Sequence, residues 1–197
     1  MMENYERKST QSRHTQETRI DLTLSLDGSG HSRISTGIGF LDHMLQLLTY
    51  HAAFDLELAA TGDLHVDGHH TVEDVGITLG RALAAALGDK KGIARYGQCF
   101  LPMDETLVLV ALDISGRGLL VEDLQLPPVM LGSFAAELVP EFLRALAHNA
   151  GITLHVRQLS GSNTHHIIEA VFKGLGRALR QAVARAGDNI PSTKGVL

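Results

Sequence analysis

A six-residue pattern occurs twice in this chain, and that repeat limits what the chain can fold into. His69-His70-Thr71-Val72-Glu73-Asp74 returns as His165-His166-Ile167-Ile168-Glu169-Ala170. A Leu-Gly-Arg-Ala-Leu segment begins at Leu79 and again at Leu175. Both spacings are 96 residues (165 − 69 and 175 − 79), the mark of an internal duplication. A helix needs no imidazole pair in order to form. Retention of His-His-x-x-Glu beside both helical patterns therefore points to a doubled metal site.

A chain of 197 residues suffices for one sizeable domain or two small intimate ones. The formal net charge of −5 argues against bulk nucleic-acid binding, while leaving room for a local basic pocket that takes a small anion. The one cysteine, Cys99, has no intrachain partner, which fits a reducing compartment and a cytoplasmic location. The polar stretch Met1 to Thr10 lacks the apolar core of a signal peptide. No apolar run approaches the ~20 residues of a spanning helix, so no membrane partner is expected.

The chain divides best near Gly88 to Tyr96, giving half-repeats 1–92 and 93–197 that together form one domain. Each half reads as strands, a helix, a strand and a second helix. Thr18 to Leu26 alternates in hydrophobicity and ends at Asp27-Gly28, a hairpin signal that makes Ser32 to Thr36 the return strand. Leu41, Met44, Leu45 and Leu48 follow helical spacing, as do Val139, Phe142, Leu143 and Leu146. Val72, Val75, Leu79 and Leu83 mark the second helix, with Ile168, Val171, Leu175 and Leu179 as its counterpart. Phe54 to Ala60, Thr106 to Ile114, Leu119 to Leu124 and Ile152 to Gln158 read as strands. The small residues of the two Leu-Gly-Arg-Ala-Leu segments allow close helix packing. The class is α+β, internally duplicated.

Residues four apart on a helix lie roughly 40° apart around its axis, so His69 and Glu73 can reach one ion. His70 is turned by about 100° and points elsewhere. Pseudo-symmetry then predicts two sites, one of His69, Glu73 and His166 and another of His165, Glu169 and His70. Further ligands come from the preceding helices. Aligning Leu41 with Val139, Met44 with Phe142 and Leu45 with Leu143 puts Glu141 opposite His43. The pooled set holds nitrogen and oxygen but no thiolate. Six-coordinate manganese or iron suits it, and zinc or cobalt could occupy it.

The chain resembles the imidazoleglycerol-phosphate dehydratase family over nearly its whole length. The resemblance rests on Arg13-His14-Thr15-Gln16-Glu17-Thr18, Gly39-Phe40-Leu41-Asp42-His43-Met44 and Asp67-Gly68-His69-His70-Thr71-Val72-Glu73-Asp74. It continues through Arg95-Tyr96-Gly97, Pro102-Met103-Asp104-Glu105 and Asp113-Ile114-Ser115-Gly116-Arg117. It ends with Asn163-Thr164-His165-His166-Ile167-Ile168-Glu169-Ala170 and the tail Pro191-Ser192-Thr193-Lys194-Gly195.

The resemblance implies two pseudo-symmetric halves, each a roughly four-stranded sheet backed by two helices, like domain 2 of ribosomal protein S5. It implies a hydro-lyase of histidine biosynthesis that converts imidazole glycerol phosphate to imidazole acetol phosphate. It implies two Mn2+ ions per active site, held by His43, His69, His70, Glu73, Glu141, His165, His166 and Glu169, and a homo-oligomer of twenty-four subunits. Glu141 departs from the family, where many members carry His. Glu17 matches the family's acid/base glutamate, and Arg95, Arg117, Ser192 and Lys194 match its phosphate contacts. Gln46 and His51, on or just past the first helix, are placed in the substrate pocket. Two other classes compete. A two-metal hydrolase would be richer in bridging Asp. A non-enzymatic metal store or sensor would leave Glu17, the two arginines and the tail unexplained.

Overall fold

The computed structural model describes residues 6–197. Strands β1 (Lys8–His14), β2 (Thr18–Ser25), β3 (Ser32–Ser35) and β4 (Asp55–Gly62) form one sheet, with α1 (Gly39–Ala52) and α2 (His69–Leu87) in the same half. The other half repeats the plan. Its strands are β5 (Tyr96–Met103), β6 (Thr106–Asp113), β7 (Leu119–Asp123) and β10 (Thr153–Ser160), with helices α3 (Leu138–Ala150) and α4 (Thr164–Ala182). The strand orders β1-β2-β4-β3 and β5-β6-β10-β7 correspond strand for strand. A two-residue ladder, β8 (Met130–Leu131) with β9 (Phe134–Ala135), is added in the second half alone among the described residues. Among the described residues no helix is long and apolar enough to cross a membrane.

The inner strands follow the period of two. Ile20, Leu22 and Leu24 of β2 and Val108, Val110 and Leu112 of β6 point into the core, while their neighbours face outward. The expected hairpin between β2 and β3 does not form. β4 lies between them, antiparallel to β2 and parallel to β3. The reason is local. The Asp55 carboxylate at the start of β4 accepts hydrogen bonds from the backbone N–H groups of Ser29 (2.8 Å) and His31 (3.0 Å). Gly30 N–H also donates to the Phe54 carbonyl, and Leu56 N–H to that of His31. These bonds carry the loop across β4 and deliver β3 to its far side. The apolar β4, with Leu56, Leu58 and Ala60 buried, takes the protected central place.

Each sheet is backed by its own helices, and the helices then pair across the halves, α1 on α4 and α2 on α3. One continuous core runs through both halves. The linker after α2 reinforces the join. Gly92, Ala94 and Arg95 N–H groups donate to the carbonyls of Asn189, Ala184 and Ala182. Buried Arg7 donates to the Val183 carbonyl and pairs with Asp27, whose carboxyl it holds below the usual range against the opposing effect of burial.

The glycines of the repeated segments explain the close helix pairs. A Cβ on Gly80 would lie 2.7 Å from the Leu146 carbonyl oxygen, and one on Gly176 would lie 2.5 Å from that of Leu48. Backbone cannot move aside as a flexible side chain can. Gly80→Ala and Gly176→Ala should therefore destabilise by about 1–3 kcal/mol from overpacking, partly offset by the ~1 kcal/mol helix preference of alanine. Gly39→Ala, whose Cβ meets nothing within 4 Å, serves as the control. Thermal scans should rank both interhelical variants below it, at roughly 2–4 °C per kcal/mol. Equal melting temperatures would show that the helices do not depend on these contacts.

Candidate metal centre and substrate site

The α1–α4 pair gathers the first cluster. Thr36 donates from both its backbone N–H (2.9 Å) and its hydroxyl (2.6 Å) to Asp42 Oδ1, which closes the turn into α1 and sets the direction of the adjacent His43. Asn163 caps α4 by accepting from the N–H groups of His165 (3.0 Å) and His166 (3.4 Å), so both imidazoles leave the first turn. His165 Nε2 then lies 3.0 Å from Glu169 Oε2, the i,i+4 pairing expected of a shared helix face. His43 Nε2 is 3.7 Å from the same oxygen. One ligand atom from each of the three residues falls within 4.8 Å of the others, and this is the one such group among the described residues.

The surroundings hold this cluster in a form that can bind a cation. Burial pushes the Glu169 carboxyl up, but the Lys173 ammonium, bonded to Oε1 at 2.6 Å, and His165 bring it below the ordinary value. Glu169 is thus an anion with Oε2 facing the imidazoles. Phe40 packs edge-on against the His165 ring, centroids 5.2 Å apart. A cleft of about 480 Å³ opens on the cluster, lined by Phe40, His43, His165 and the β8–β9 turn. The donor set of two imidazoles and a carboxylate suits a divalent ion of the manganese type.

The second histidine of each motif points elsewhere, as the helical wheel requires. The rings of His69 and His70 stand at 88°, and those of His165 and His166 at 86°. His70 Nδ1 is 3.0 Å from Asp63 Oδ2, and His70 Nε2 is 4.0 Å from Glu17 Oε1. His166 Nδ1 is 2.9 Å from Glu105 Oε2, and His166 Nε2 is 3.8 Å from Asp104 Oδ2. The Asp63 hydrogen bond raises the His70 pKa, and the Glu105 hydrogen bond raises that of His166. Glu105 is driven far below the usual carboxylate range, first by His166 and then by the N–H groups of Asn163 and Ser162. Glu17 sits in a turn knitted by Thr15, whose hydroxyl accepts from the N–H groups of Glu17 and Thr18. Buried Asp74 anchors that turn through Arg13 (2.7 Å) and Thr18 (2.5 Å), which gives it a structural role.

Within one chain the predicted groupings are only partly assembled. His43 completes the His165–Glu169 pair, but His70 does not reach it and His166 does not reach His69 and Glu73. The physical reason is the helix pairing, since α2 packs on α3 and α4 on α1. Glu141 does not converge with His69 and Glu73 either. Its carboxylate is paired with Arg144 at 2.6 Å, one turn along α3.

The residues expected to bind an anion lie toward the other end of α4. Arg95 follows α2, and its N–H donates to Ala182, the last residue of α4. A helix of 19 residues puts that point about 27 Å from the His165 end. The Arg95 guanidinium grips Asp113 through Nε (2.7 Å) and Nη2 (3.1 Å) and donates from Nη1 to the Pro191 carbonyl (2.8 Å). It thereby ties down the tail that carries Ser192 and Lys194, and it stacks on Tyr96. Leu197 closes on Gly116, beside the exposed Arg117. Gln46 is exposed on α1. His51 lines a separate cleft of about 750 Å³ with Tyr50, Arg177 and Arg180. Its pKa is lowered by burial and by the nearby charges of Lys173 and Arg177.

The family profile described as imidazoleglycerol-phosphate dehydratase matches residues 36–179. The chain belongs to the imidazoleglycerol-phosphate dehydratase family. The enzyme of that name from Desulforamulus reducens is 62% identical over 187 residues, 94% of this chain and 95% of its own length. The Acetivibrio thermocellus enzyme is 59% identical over 194 residues, covering 98% and 100%. The crystal structure from Staphylococcus aureus N315 superposes with a TM-score of 0.83 at 42% identity, covering 91% of this chain and 99% of its own. The structure of the Pyrococcus furiosus family member in complex with (S)-C348 also gives 0.83, at 41% identity over 95% and 100%. These neighbours agree with the duplicated α+β architecture.

Sequence reasoning missed Asp63 and Lys173 and named Phe40 and Glu105 without giving them a role. Lys173 had a readable signal, the i,i+4 spacing from Glu169. Asp63 had none, because its partner is fixed by where β4 ends relative to α2. In metal-free protein, NMR titration should find His70 and His166 above the ordinary histidine value of about 6.5 and His51 below it. The sign follows for stability. The contributions of His70 and His166 are fully present below the unfolded-state pKa and are lost as pH rises through the raised folded-state values. Asp63→Asn should bring His70 back toward the ordinary value. A His70 titration unchanged by that substitution would remove the hydrogen bond as its cause.

Proposed function

We propose that the chain catalyses the Mn2+-dependent dehydration of D-erythro-1-(imidazol-4-yl)glycerol 3-phosphate to 3-(imidazol-4-yl)-2-oxopropyl phosphate in L-histidine biosynthesis. The observation that carries the site reading is the convergence of His43, His165 and Glu169 in a chain of the imidazoleglycerol-phosphate dehydratase family. The reaction is a hydro-lyase step. Its difficulty is that the departing hydrogen sits on a carbon with no adjacent carbonyl, so the imidazole ring must accept the electrons. Manganese, when bound, supplies Lewis acidity to the ring nitrogens.

The chain's residues take the following roles. His43, His165 and Glu169 hold one ion, and His70 of a second copy completes their shell. His69, Glu73, Glu141 and His166 form the pseudo-equivalent set. Glu17, beside His70, removes the carbon-bound proton and protonates the departing hydroxyl, so that water is the leaving product. Arg95, Arg117, Ser192 and Lys194 receive the phosphate, the arginines through paired N–H donors. Gln46 and His51 border the substrate.

Distance supports an assembly of several copies. The substrate's three-carbon arm spans at most roughly 7 Å at ordinary bond lengths, far less than the ~27 Å between the two ends of α4. One active site therefore draws its metal end and its phosphate end from different copies, in keeping with a homo-oligomer of twenty-four subunits. A lone cysteine fits residence in the cytoplasm.

Exhaustive chelation should abolish turnover and lower the sedimentation coefficient, and Mn2+ should restore both. Full activity in protein shown metal-free by elemental analysis would refute the metal reading. Stoichiometric Mn2+ uptake with no ketone product would instead indicate a metal store. Glu17→Gln keeps the side-chain shape but cannot exchange a proton, so kcat should fall by ~10²–10⁴ with substrate and metal still bound. A near-normal kcat in that variant would take Glu17 out of the mechanism.

A further inference from the structure

We propose that Asp63 and Glu105 are positioning residues that fix the metal-binding tautomer of His70 and His166, an inference that rests on those imidazoles being ligands. Each histidine meets its carboxylate through Nδ1, at 3.0 Å for Asp63 and 2.9 Å for Glu105. A carboxylate can only accept, so each ring must carry its hydrogen on Nδ1 when neutral. Nε2 is then a bare lone pair, the state needed to ligate a cation. The ring plane is held as well, because the hydrogen bond and the helix together leave little freedom at the imidazole.

The two halves reach this arrangement by different routes. In the first, the carboxylate comes from Asp63, just past the end of β4. In the second, it comes from Glu105, in the turn between β5 and β6. The residue that corresponds to Glu105, by matching Thr106 with Thr18 at the starts of β6 and β2, is Glu17, and Glu17 lies on the opposite side of its histidine, toward Nε2. The contact to Nδ1 is thus present in both halves although the residue supplying it is not the duplicated one. A contact kept while its source changes answers to the imidazole rather than to the repeat. Asp63 Oδ1 is buried without a hydrogen-bond partner, and its Oδ2 is the oxygen that meets His70.

Glu105 offers a decisive substitution. Its Oε1 accepts from the backbone N–H groups of Asn163 (2.9 Å) and Ser162 (3.2 Å), and Oε2 faces His166. In Glu105→Gln the amide oxygen must stay with those N–H donors. The amide NH2 then faces Nδ1, which has to accept, and the ring hydrogen moves to Nε2. The fold around the loop is kept while the ligand nitrogen is blocked. In protein labelled with 15N at histidine and stripped of metal, wild type should show His70 and His166 with hydrogen on Nδ1. Glu105→Gln should move that of His166 to Nε2, and Asp63→Ala should release His70 from the Nδ1–H form. Mn2+ affinity, read from the electron paramagnetic resonance of free Mn2+, should weaken by ~10–100-fold in both variants, with melting temperature in Glu105→Gln close to wild type. His70→Ala and His166→Ala separate the two layers. If they leave Mn2+ affinity unchanged, the ligand reading fails and the positioning role fails with it. If they weaken binding while Asp63→Ala and Glu105→Gln do not, or if the tautomers stay as in wild type, the positioning role alone is overturned.

Discussion

The backbone contact between α4 and α1 is the constraint on which the site depends. With no side chain at Gly176, α4 lies against the carbonyl of Leu48, and that approach leaves His43 on α1 3.7 Å from Glu169 on α4. A wider spacing would open the ligand cluster before it exposed much of the core, because the imidazoles reach only a short way from their helices. The same geometry at Gly80 sets α2 against α3. The candidate metal ligands and the glycines that permit the packing therefore sit on the same helices, His69 and His165 about three turns from Gly80 and Gly176.

Pseudo-symmetry governs the placement of the candidate ligands but not their surroundings. Lys173 neutralises Glu169 from one side, whereas the position 96 residues earlier is Ile77, so Glu73 has no corresponding cation. His43 is matched by Glu141, a carboxylate that Arg144 engages at 2.6 Å. One set, His43 of α1 with His165 and Glu169 of α4, offers two imidazoles, a carboxylate and a nearby ammonium. The pseudo-equivalent residues, His69 and Glu73 of α2 and Glu141 of α3, are an imidazole and two carboxylates that do not converge within one chain. The second set carries more negative charge, so it would hold a divalent ion more through charge and leave it a weaker Lewis acid. The β8–β9 ladder adds a further asymmetry, since it borders the His43–His165 cleft and has no counterpart in the first half.

Much of the fold was legible in the sequence for a physical reason. Strands β2, β4, β6 and β10 and all four helices bury a periodic apolar face, and that period can be read directly. Strands β1 and β5 were not assigned because they carry no such face. β1 is a run of polar residues alternating between exposed and half-buried, and β5 buries little beyond Gly97 and Leu101. They are strands because β2 and β6 offer them hydrogen-bonding edges. The hairpin between β2 and β3 was misread because Asp-Gly is a sound turn signal locally. It lost to Asp55, whose carboxylate holds the loop from a position 24 residues beyond His31.

The sequence by itself determined the duplication, the two imidazole pairs, the shared helix face of His165 and Glu169, and the family to which the chain belongs. These follow from spacing and residue type, which local geometry converts into direction. The tertiary structure alone decided which helices pair, and therefore that His43 joins His165 and Glu169 while His70 and His166 face Asp63 and Glu105. It also decided that the Arg95 end lies roughly 20–26 Å along α4 from Glu169 and His165. Such relations join residues far apart in the chain. They depend on how two sheets bury their helices against each other, which no local pattern encodes.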